Sequence, residues 1–256
     1  MKDLMMWIDS LVSIITPAYK AAAYVGEAIR SVQVQDFRDW EMLVVDDGSP
    51  DNTADVVAGF AAADPRVKLI RQANSGPAMA RQRALDEAKG RYIAFLDSDD
   101  CWLPGKVTRQ LAFMRERGTA MSYTRFRRIS DDGGRVGHLI AVPDRLDYRQ
   151  LLKNTGIATS TVIVDREMTG PFAMTRTYYD DYALWLCLLK RGFVAHGLQE
   201  DLMRYRVVSK SVSRHKMNSA KWVWRTYREV EGLALPYATW CFLNYAWRAY
   251  RKYAIF

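Results

Sequence analysis

The feature that most constrains this chain is a rhythm. An apolar run of strand length followed by a helical pattern occurs four times in about the first 117 residues. Leu11-Val12-Ser13-Ile14-Ile15-Thr16 reads as a buried strand ended by Pro17, which has no N–H for a ladder. Tyr24, Val25, Ala28, Ile29 and Val32 follow at helical spacing. Met42-Leu43-Val44-Val45 is the second strand, and Ser49-Pro50-Asp51-Asn52 caps a helix reaching about Ala63. Val67-Lys68-Leu69-Ile70 is the third. Gly76-Pro77 then opens a helix that carries Arg81 and Arg83 and ends near Gly90. Arg91 to Leu96 is the fourth strand. The helix after it starts at Pro104, places Val107, Leu111 and Met114 on one face and stops at Gly118. Such alternation predicts a parallel, right-handed, doubly wound sheet.

Beyond Gly118 the pattern changes. Ala120 to Ile129 and Val136 to Val142 read as strands around the turn Asp131-Asp132-Gly133-Gly134. Thr159 to Val164 reads as a further strand, and Tyr179 to Arg191 as a helix with Leu184, Trp185 and Leu188 inside. Met203 to Val208 is the last strand. A chain of 256 residues with 49% hydrophobic content fits one large α/β domain, or one domain with an appendage. Cys101, Cys187 and Cys241 are far apart, which argues against a disulfide framework or a zinc site and fits a reducing compartment. His138, His196 and His215 form no metal motif. Met1 to Leu11 lacks a clean cationic start and a small-residue cleavage site, so no signal peptide is expected. No run of 18 uncharged apolar residues occurs, so no transmembrane helix is expected.

Acidic residues gather at three places: Asp46-Asp47, Asp97-Ser98-Asp99-Asp100 and Asp180-Asp181. The first two follow buried strands of one parallel sheet, so both fall along its carboxyl edge, where open α/β sheets bind ligands. Carboxylates that close repel one another unless a cation sits among them. Mg²⁺ or Mn²⁺ suits such a place, held by one or two carboxylates plus substrate phosphates. Asp and Ser are also cap residues, so a polar turn that caps the next helix is the competing reading. No GxGxxG follows the first strand and no GxxxxGK[ST] occurs, which disfavours a dinucleotide site and a Walker-type loop.

Five stretches now stand in order: Val12 to Tyr19, Val44 to Thr53, Asn74 to Arg81, Leu96 to Asp100, and Asp180-Asp181-Tyr182-Ala183-Leu184-Trp185-Leu186. Together they resemble the inverting family 2 glycosyltransferases of the GT-A fold, over about residues 11–215. The nearest likeness is to bacterial enzymes that build teichuronic acid, O-antigen and exopolysaccharide. The resemblance implies a Rossmann-like, mostly parallel sheet flanked by helices. It also implies transfer of a hexose from a UDP-linked donor to a lipid-linked or polysaccharide acceptor. Pro17, Ala18, Tyr19 and Asp47 would hold the nucleotide base, and Arg81 would lie beside the nucleotide. Asp97 and Ser98 would sit at the donor, with Asp97 on the ribose or the metal. Asp99 would ligate Mn²⁺ or Mg²⁺ through the diphosphate. Asp181 would be the general base that takes the acceptor hydroxyl proton, with Asp180 and Trp185 on the acceptor side. Attack from the face opposite the leaving group inverts the anomeric centre.

The chain departs from the family at two points. Asp180 stands where Glu is frequent, and Val207-Val208 follow Tyr205-Arg206 where a histidine is common, with His215 too late to replace it.

Residues 203–256 carry 11 Lys/Arg against Glu229 and Glu231, a net +9 in a chain of net +8, so residues 1–202 are near neutral. The basic part is interleaved with Trp222, Trp224, Tyr227, Tyr237, Trp240, Phe242, Tyr245, Trp247, Tyr250 and Tyr253. That mix suits a helix at an anionic membrane surface. Helices packed on the core and nucleic-acid binding by stacking are the alternatives, of which nucleic acid is disfavoured. The division expected is a catalytic domain over 1–215 and a helical extension over 216–256. The location expected is cytoplasmic, peripheral on the inner face of a bacterial cell membrane. A non-catalytic sugar-nucleotide binder is the competing function. A nucleotidyltransferase is a weaker one, because Pro17 to Tyr24 is no phosphate-cradling loop.

Overall fold

The computed structural model describes residues 11–154, 156–177, 179–208 and 216–253. The expectations for Met1 to Ser10 and for His215 lie outside the described residues, as do the side chains of Tyr250 and Tyr253.

The strands are β1 (Val12–Ala18), β2 (Trp40–Asp46), β3 (Val67–Arg71), β4 (Tyr92–Phe95), β5 (Cys101–Trp102), β6 (Met121–Ile129), β7 (Val136–Ile140), β8 (Arg145–Leu146), β9 (Ile163–Asp165) and β10 (Ala195–Arg206). The helices are α1 (Val25–Gln33), α2 (Thr53–Ala63), α3 (Pro77–Glu87), α4 (Lys106–Arg117), α5 (Tyr148–Leu151), α6 (Arg166–Thr169), α7 (Asp180–Lys190), α8 (Lys216–Arg225) and α9 (Leu235–Tyr253). A π-helical turn over Thr226–Val230 joins the last two regions.

All ten strands form one sheet, in the order β3-β2-β1-β4-β9-β6-β10-β5, with β7 on β6 and β8 on β10. β3, β2, β1 and β4 are mutually parallel, and β10 is parallel to β6. β9, β5, β7 and β8 are reversed. The sheet is therefore mixed and mostly parallel, and the strand–helix rhythm predicts its parallel part, β3-β2-β1-β4. The chain winds from β1 out to β3 and returns to β4 on the other side of β1. The carboxyl ends of β1 and β4 thus flank the switch point, where such sheets leave a crevice.

Period-two alternation sorts the strand residues into two layers. Ile15, Leu43, Val45, Ile93 and Phe95 face a core closed by Ala80 and Ala84 of α3 and by Leu184, Trp185 and Leu188 of α7. Ile14, Met42, Val44, Ala94 and Leu96 face the opposite core, closed by Val25, Ile29 and Val32 of α1, Val57 of α2, and Val107 and Met114 of α4. Both faces are covered, which is why these strands read as continuous apolar runs.

Four local expectations are corrected. Pro17 does not end β1, because the strand runs on to Ala18. The Ile15 carbonyl accepts from Leu96 on the β4 side, and the β1–β4 pairing stops at Ile15. Pro17 faces that same side past the end of the ladder, where a missing N–H costs nothing. Thr159–Thr161 is a 3₁₀ turn and only Ile163–Asp165 is strand. The helix expected from Pro104 begins at Lys106, because Gly105 sits in the left-handed region at φ 78°. The last strand begins at Ala195, eight residues before Met203, and its polar stretch is held by pairing with β6 through two register shifts.

Candidate active site

The site is built outward from Asp47, just past β2. Its carboxylate is buried and accepts from Gln72 Nε2 at 2.7 Å, Ser75 N at 2.8 Å and Gly76 N at 2.8 Å. Its carbonyl accepts from Asn74 Nδ2 at 2.9 Å. Asp47 therefore fastens the loop 72–76, which leads straight into α3. Gly48 permits the approach: at φ +67°, a Cβ there would stand 2.8 Å from Asn74 N. Asp47 N is fixed by Ala18 O at 2.9 Å, which ties this loop to the end of β1. Pro17 is half-buried, Ala18 is buried and Tyr19 is 47% exposed, with Lys20 Nζ 5.2 Å from its ring centroid. Lys20 follows at φ 53° with its amide held by Ser49 Oγ at 3.1 Å.

α3 delivers Arg81, which is only 7% exposed and so is not a surface arginine. Its Nη2 donates to Asp97 Oδ1 at 2.6 Å and its Nη1 to Asp180 Oδ2 at 3.0 Å. One guanidinium thus joins two acidic motifs that lie 83 residues apart in sequence. A planar, always-charged fork suits two carboxylates better than an ammonium would. Burial opposes the charge, but Asp97, Asp180 and Asp181 raise the arginine pKa and keep it cationic. Arg81 Nε is buried with no partner among the described residues.

The turn after β4 carries the second cluster. Asp97 N donates to Ser160 Oγ at 3.0 Å, and Ser98 and Asp99 are half-buried beside it. Burial first, and the Asp97 carboxylate second, push Asp99 up to about 6. Asp100 is raised well above the usual carboxylate range by burial first and then by the charges of Asp99 and Asp97. Its Oδ1 accepts from Arg206 N at 2.9 Å, and its Oδ2 has no hydrogen-bond partner among the described residues. The Arg206 side chain, 4% exposed, donates to the carbonyls of Asp99 at 3.0 Å and Asp131 at 2.8 Å and also pairs with Glu27. Arg206 so clamps the acidic turn to α1 and to the β6–β7 turn.

A divalent cation fits this turn. Among the described residues no side chain donates to the Asp99 carboxylate, and burial and the neighbouring Asp97 charge raise its pKa against the pull of Arg206 and Arg81. Among the described residues no three His, Cys, Asp or Glu side chains form a metal cage of their own. Mn²⁺ or Mg²⁺ would take one or two carboxylates here, Asp99 foremost, and complete the shell with phosphate oxygens and water.

Asp180 and Asp181 open α7, and neither is its N-cap, which is Tyr179. Asp180 gives its carboxylate to Arg81. Asp181 accepts from Thr159 Oγ1 and from Tyr182 N at 2.7 Å. Burial and then the Asp180 charge push Asp181 up to about 6, against the pull of Arg81 and these hydrogen bonds. A carboxylate has about four lone-pair sites, so Asp181 keeps room for a proton. Trp185 lies behind it, 1% exposed, edge-on to Phe95 with centroids 5.2 Å apart. Asp181 and Trp185 share a cavity of about 10 Å³ with Tyr179, Leu151 and Ile157. That is room for one water and not for a sugar ring.

The sequence-derived residues Arg81, Asp97, Asp180 and Asp181 thus converge on one place, while Asp47, Pro17 and Tyr19 line the approach. Sequence reasoning missed Thr159 and Ser160, the loop donors Gln72, Ser75 and Gly76, and the clamp of Arg206. Thr159 and Ser160 lie in a stretch read as strand, and only their 3₁₀ turn aims them at Asp181 and Asp97. In the sequence Arg206 stands only as part of a Tyr-Arg pair, with no local signal of its partners.

Comparison with known proteins agrees. The sequence pattern of glycosyl transferase family 2 matches residues 13–182. The chain is 45% identical over 245 residues to TuaG of Bacillus subtilis, a protein assigned to teichuronic acid biosynthesis as a glycosyltransferase, covering 94% of this chain and 97% of TuaG. It is 38% identical to the Escherichia coli UDP-Glc:alpha-D-GlcNAc-diphosphoundecaprenol beta-1,3-glucosyltransferase WfgD, covering 84% and 85% of the two chains. Among solved structures, residues 1–349 of S. aureus TarS superpose with TM-score 0.68 at 18% identity, covering 94% of this chain and 72% of that one. Mannosyltransferase PcManGT from Pyrobaculum calidifontis, solved with GDP-Man and Mn2+, superposes with TM-score 0.68 at 17% identity, covering 93% and 69%. At those identities the superpositions speak for the GT-A fold. With the family pattern matching residues 13–182 and a relative 45% identical over 94% of the chain, the chain belongs to glycosyl transferase family 2.

Proposed function

We propose that this glycosyltransferase is an inverting, metal-dependent hexosyltransferase. It takes a hexose from a UDP-linked donor to a hydroxyl of a lipid-linked saccharide in cell-surface polysaccharide synthesis, working at the inner face of a bacterial cell membrane. The observation that carries the reading is Arg81, whose two arms draw the Asp97–Asp99 turn and the Asp180-Asp181 pair around one point. A protein that only bound a sugar nucleotide would need the first of these and would have no use for the second. WfgD, by its name, uses UDP-Glc and an undecaprenol-diphosphate acceptor, which supports both ends of the proposed reaction.

In this reading Tyr19 offers its exposed ring to the base, and Asp47 sets the loop that bounds the base pocket. Asp97 contacts the ribose, and Asp99 holds the cation, which when bound neutralises the leaving diphosphate. Asp181 takes the acceptor proton as the hydroxyl attacks the anomeric carbon from the far side. Thr159 and the Tyr182 amide fix the carboxylate's orientation, and Asp180 keeps Arg81 beside it. With its pKa near 6, Asp181 is ionised at neutral pH yet basic enough to take a proton.

The test is nucleoside diphosphate release from a panel of nucleotide sugars, with a lipid-diphosphate-linked sugar as acceptor. UDP-hexoses are expected to be consumed, EDTA to abolish release, and Mn²⁺ or Mg²⁺ to restore it. Asp99→Ala should behave as the EDTA-treated protein does. Full activity after exhaustive chelation would remove the metal from the mechanism, and donor binding without release across the panel would favour the non-catalytic binder.

A further inference from the structure

The basic, aromatic C-terminal segment has two faces doing different things. One is seated in the main core. Val223, Tyr227, Ala238 and Cys241 are fully buried among the residues that pack on α7. Tyr227 donates through its hydroxyl to Leu152 O, and Glu231 accepts from Tyr148 at 2.6 Å and from Lys190, on α7, at 3.0 Å. Trp224 and Phe242 meet edge-on at 5.5 Å. The segment is therefore fixed relative to the helix that begins with Asp180-Asp181.

The other face of α9 is turned outward. Ala238, Cys241 and Tyr245 mark the seated side at i, i+3, i+7. About half a turn round, Trp240, Leu243 and Trp247 repeat that spacing and are 57%, 61% and 62% exposed. Three large apolar side chains in one exposed stripe are unusual on a soluble surface and mark an interaction site. α9 also carries Arg248, exposed, and in sequence Arg251 and Lys252, with no acid anywhere in Leu235–Tyr253. The two acids of the preceding turn are held elsewhere, Glu229 by Arg225 and Glu231 by Lys190. Among the described residues no helix is long and apolar enough to cross a membrane.

We propose that the outward stripe of α9, Trp240, Leu243 and Trp247 flanked by Arg248, is a docking face for an anionic lipid bilayer. The helix lies flat in the headgroup region while its other face stays in the protein core. Tryptophan favours that boundary, and leucine gains by entering the acyl region. Lys and Arg near the surface add attraction to anionic headgroups. A second copy of the chain fits less well, because two such faces would bring like charges together. Nucleic acid fits less well because Leu243, at the middle of the stripe, offers no ring to stack on a base. Because α8 and α9 are bound to α7, docking this face also fixes how the Asp181 end of the site stands relative to the membrane.

The test uses the full-length chain, with vesicles of phosphatidylcholine alone or mixed with phosphatidylglycerol, and sedimentation at low and raised salt. Anionic vesicles should bind about tenfold more strongly than neutral ones, and salt should erode the difference. Trp240→Ser, Leu243→Ser and Trp247→Ser combined should weaken binding by about tenfold or more with an unchanged melting temperature, since all three side chains are exposed. Arg248→Glu should cost about fivefold on anionic vesicles and little on neutral ones. Four results would overturn the proposal. They are no binding to either vesicle, equal binding to both, full binding by the triple variant, and a triple variant that loses only self-association or oligonucleotide binding. The vesicles contain neither donor nor acceptor, so the outcome is independent of the transferase reading, and Asp181→Asn should bind them as the wild type does.

Discussion

At the scale of single residues, Asp181 and Asp180 divide the work of one acidic pair. Asp180 is neutralised by Arg81, while Asp181 bears the like-charge repulsion and the burial. Removing a general base costs on the order of 10²–10⁴-fold in rate. Asp181→Asn should therefore cut kcat by that order and leave UDP affinity near wild type, with transfer rate and calorimetry measured on one preparation. A main defect in UDP binding would return Asp181 to a structural role. The pH profile gives a second check. Asp181 is charged above about 6 and protonated below it, so kcat should rise with pH through about 6 and be lost on the acid side. The Asp180 charge is one of the causes that lift Asp181, so Asp180→Asn should move this acid limb to lower pH. A limb that stays in place or moves upward would contradict the assignment.

At the scale of elements, the site depends on a relay. Asp47 holds the loop 72–76, the loop starts α3, α3 places Arg81, and Arg81 joins the β4 turn to α7. Each link is a backbone amide or a charge with a buried partner, so breaking one leaves a polar group unsatisfied. Asp47→Asn puts an amide nitrogen where a carboxylate oxygen now accepts from Ser75 or Gly76. The expected loss is about 1–3 kcal/mol of stability. Weaker UDP binding should accompany it, because the start of α3 loses its anchor. Thermal unfolding and UDP calorimetry would show both, and a variant with wild-type values would mean the loop is held by other contacts. The relay was half legible. Asp47 and Arg81 stood out as motif residues, but a motif names a residue without its partner. Whether Asp47 faces a nucleotide or the loop beside it depends on where residues 72–76 travel, and no local pattern carries that.

At the scale of the whole molecule, α8 and α9 pack on the part of the chain expected to be catalytic. Val223, Tyr227, Ala238 and Cys241 share a core with Ile15, Phe95 and Trp185. Burying side chains of that size contributes about 1.5–3 kcal/mol each for the larger ones, against a total stability of about 5–15 kcal/mol for a typical domain. A chain ending at residue 215 should therefore melt at markedly lower temperature or aggregate, by calorimetry or light scattering. A truncated chain with a wild-type melting curve would show that the remainder stands without α8 and α9. The sequence by itself determined the layering. Period-two and period-3.6 patterns are local and strong, so β1 to β4, the helices between them and the acidic strand ends followed from residue order alone. Family resemblance added the roles. Only the tertiary structure decided which charges meet, because Arg81, Asp97 and Asp180 come together through long-range packing that leaves no periodic trace. It likewise decided how α8 and α9 are seated. Aromatic and basic residues are equally compatible with core and surface, and the partner surface of α7 sorts Tyr227 and Cys241 inward and leaves Trp240 and Leu243 outward.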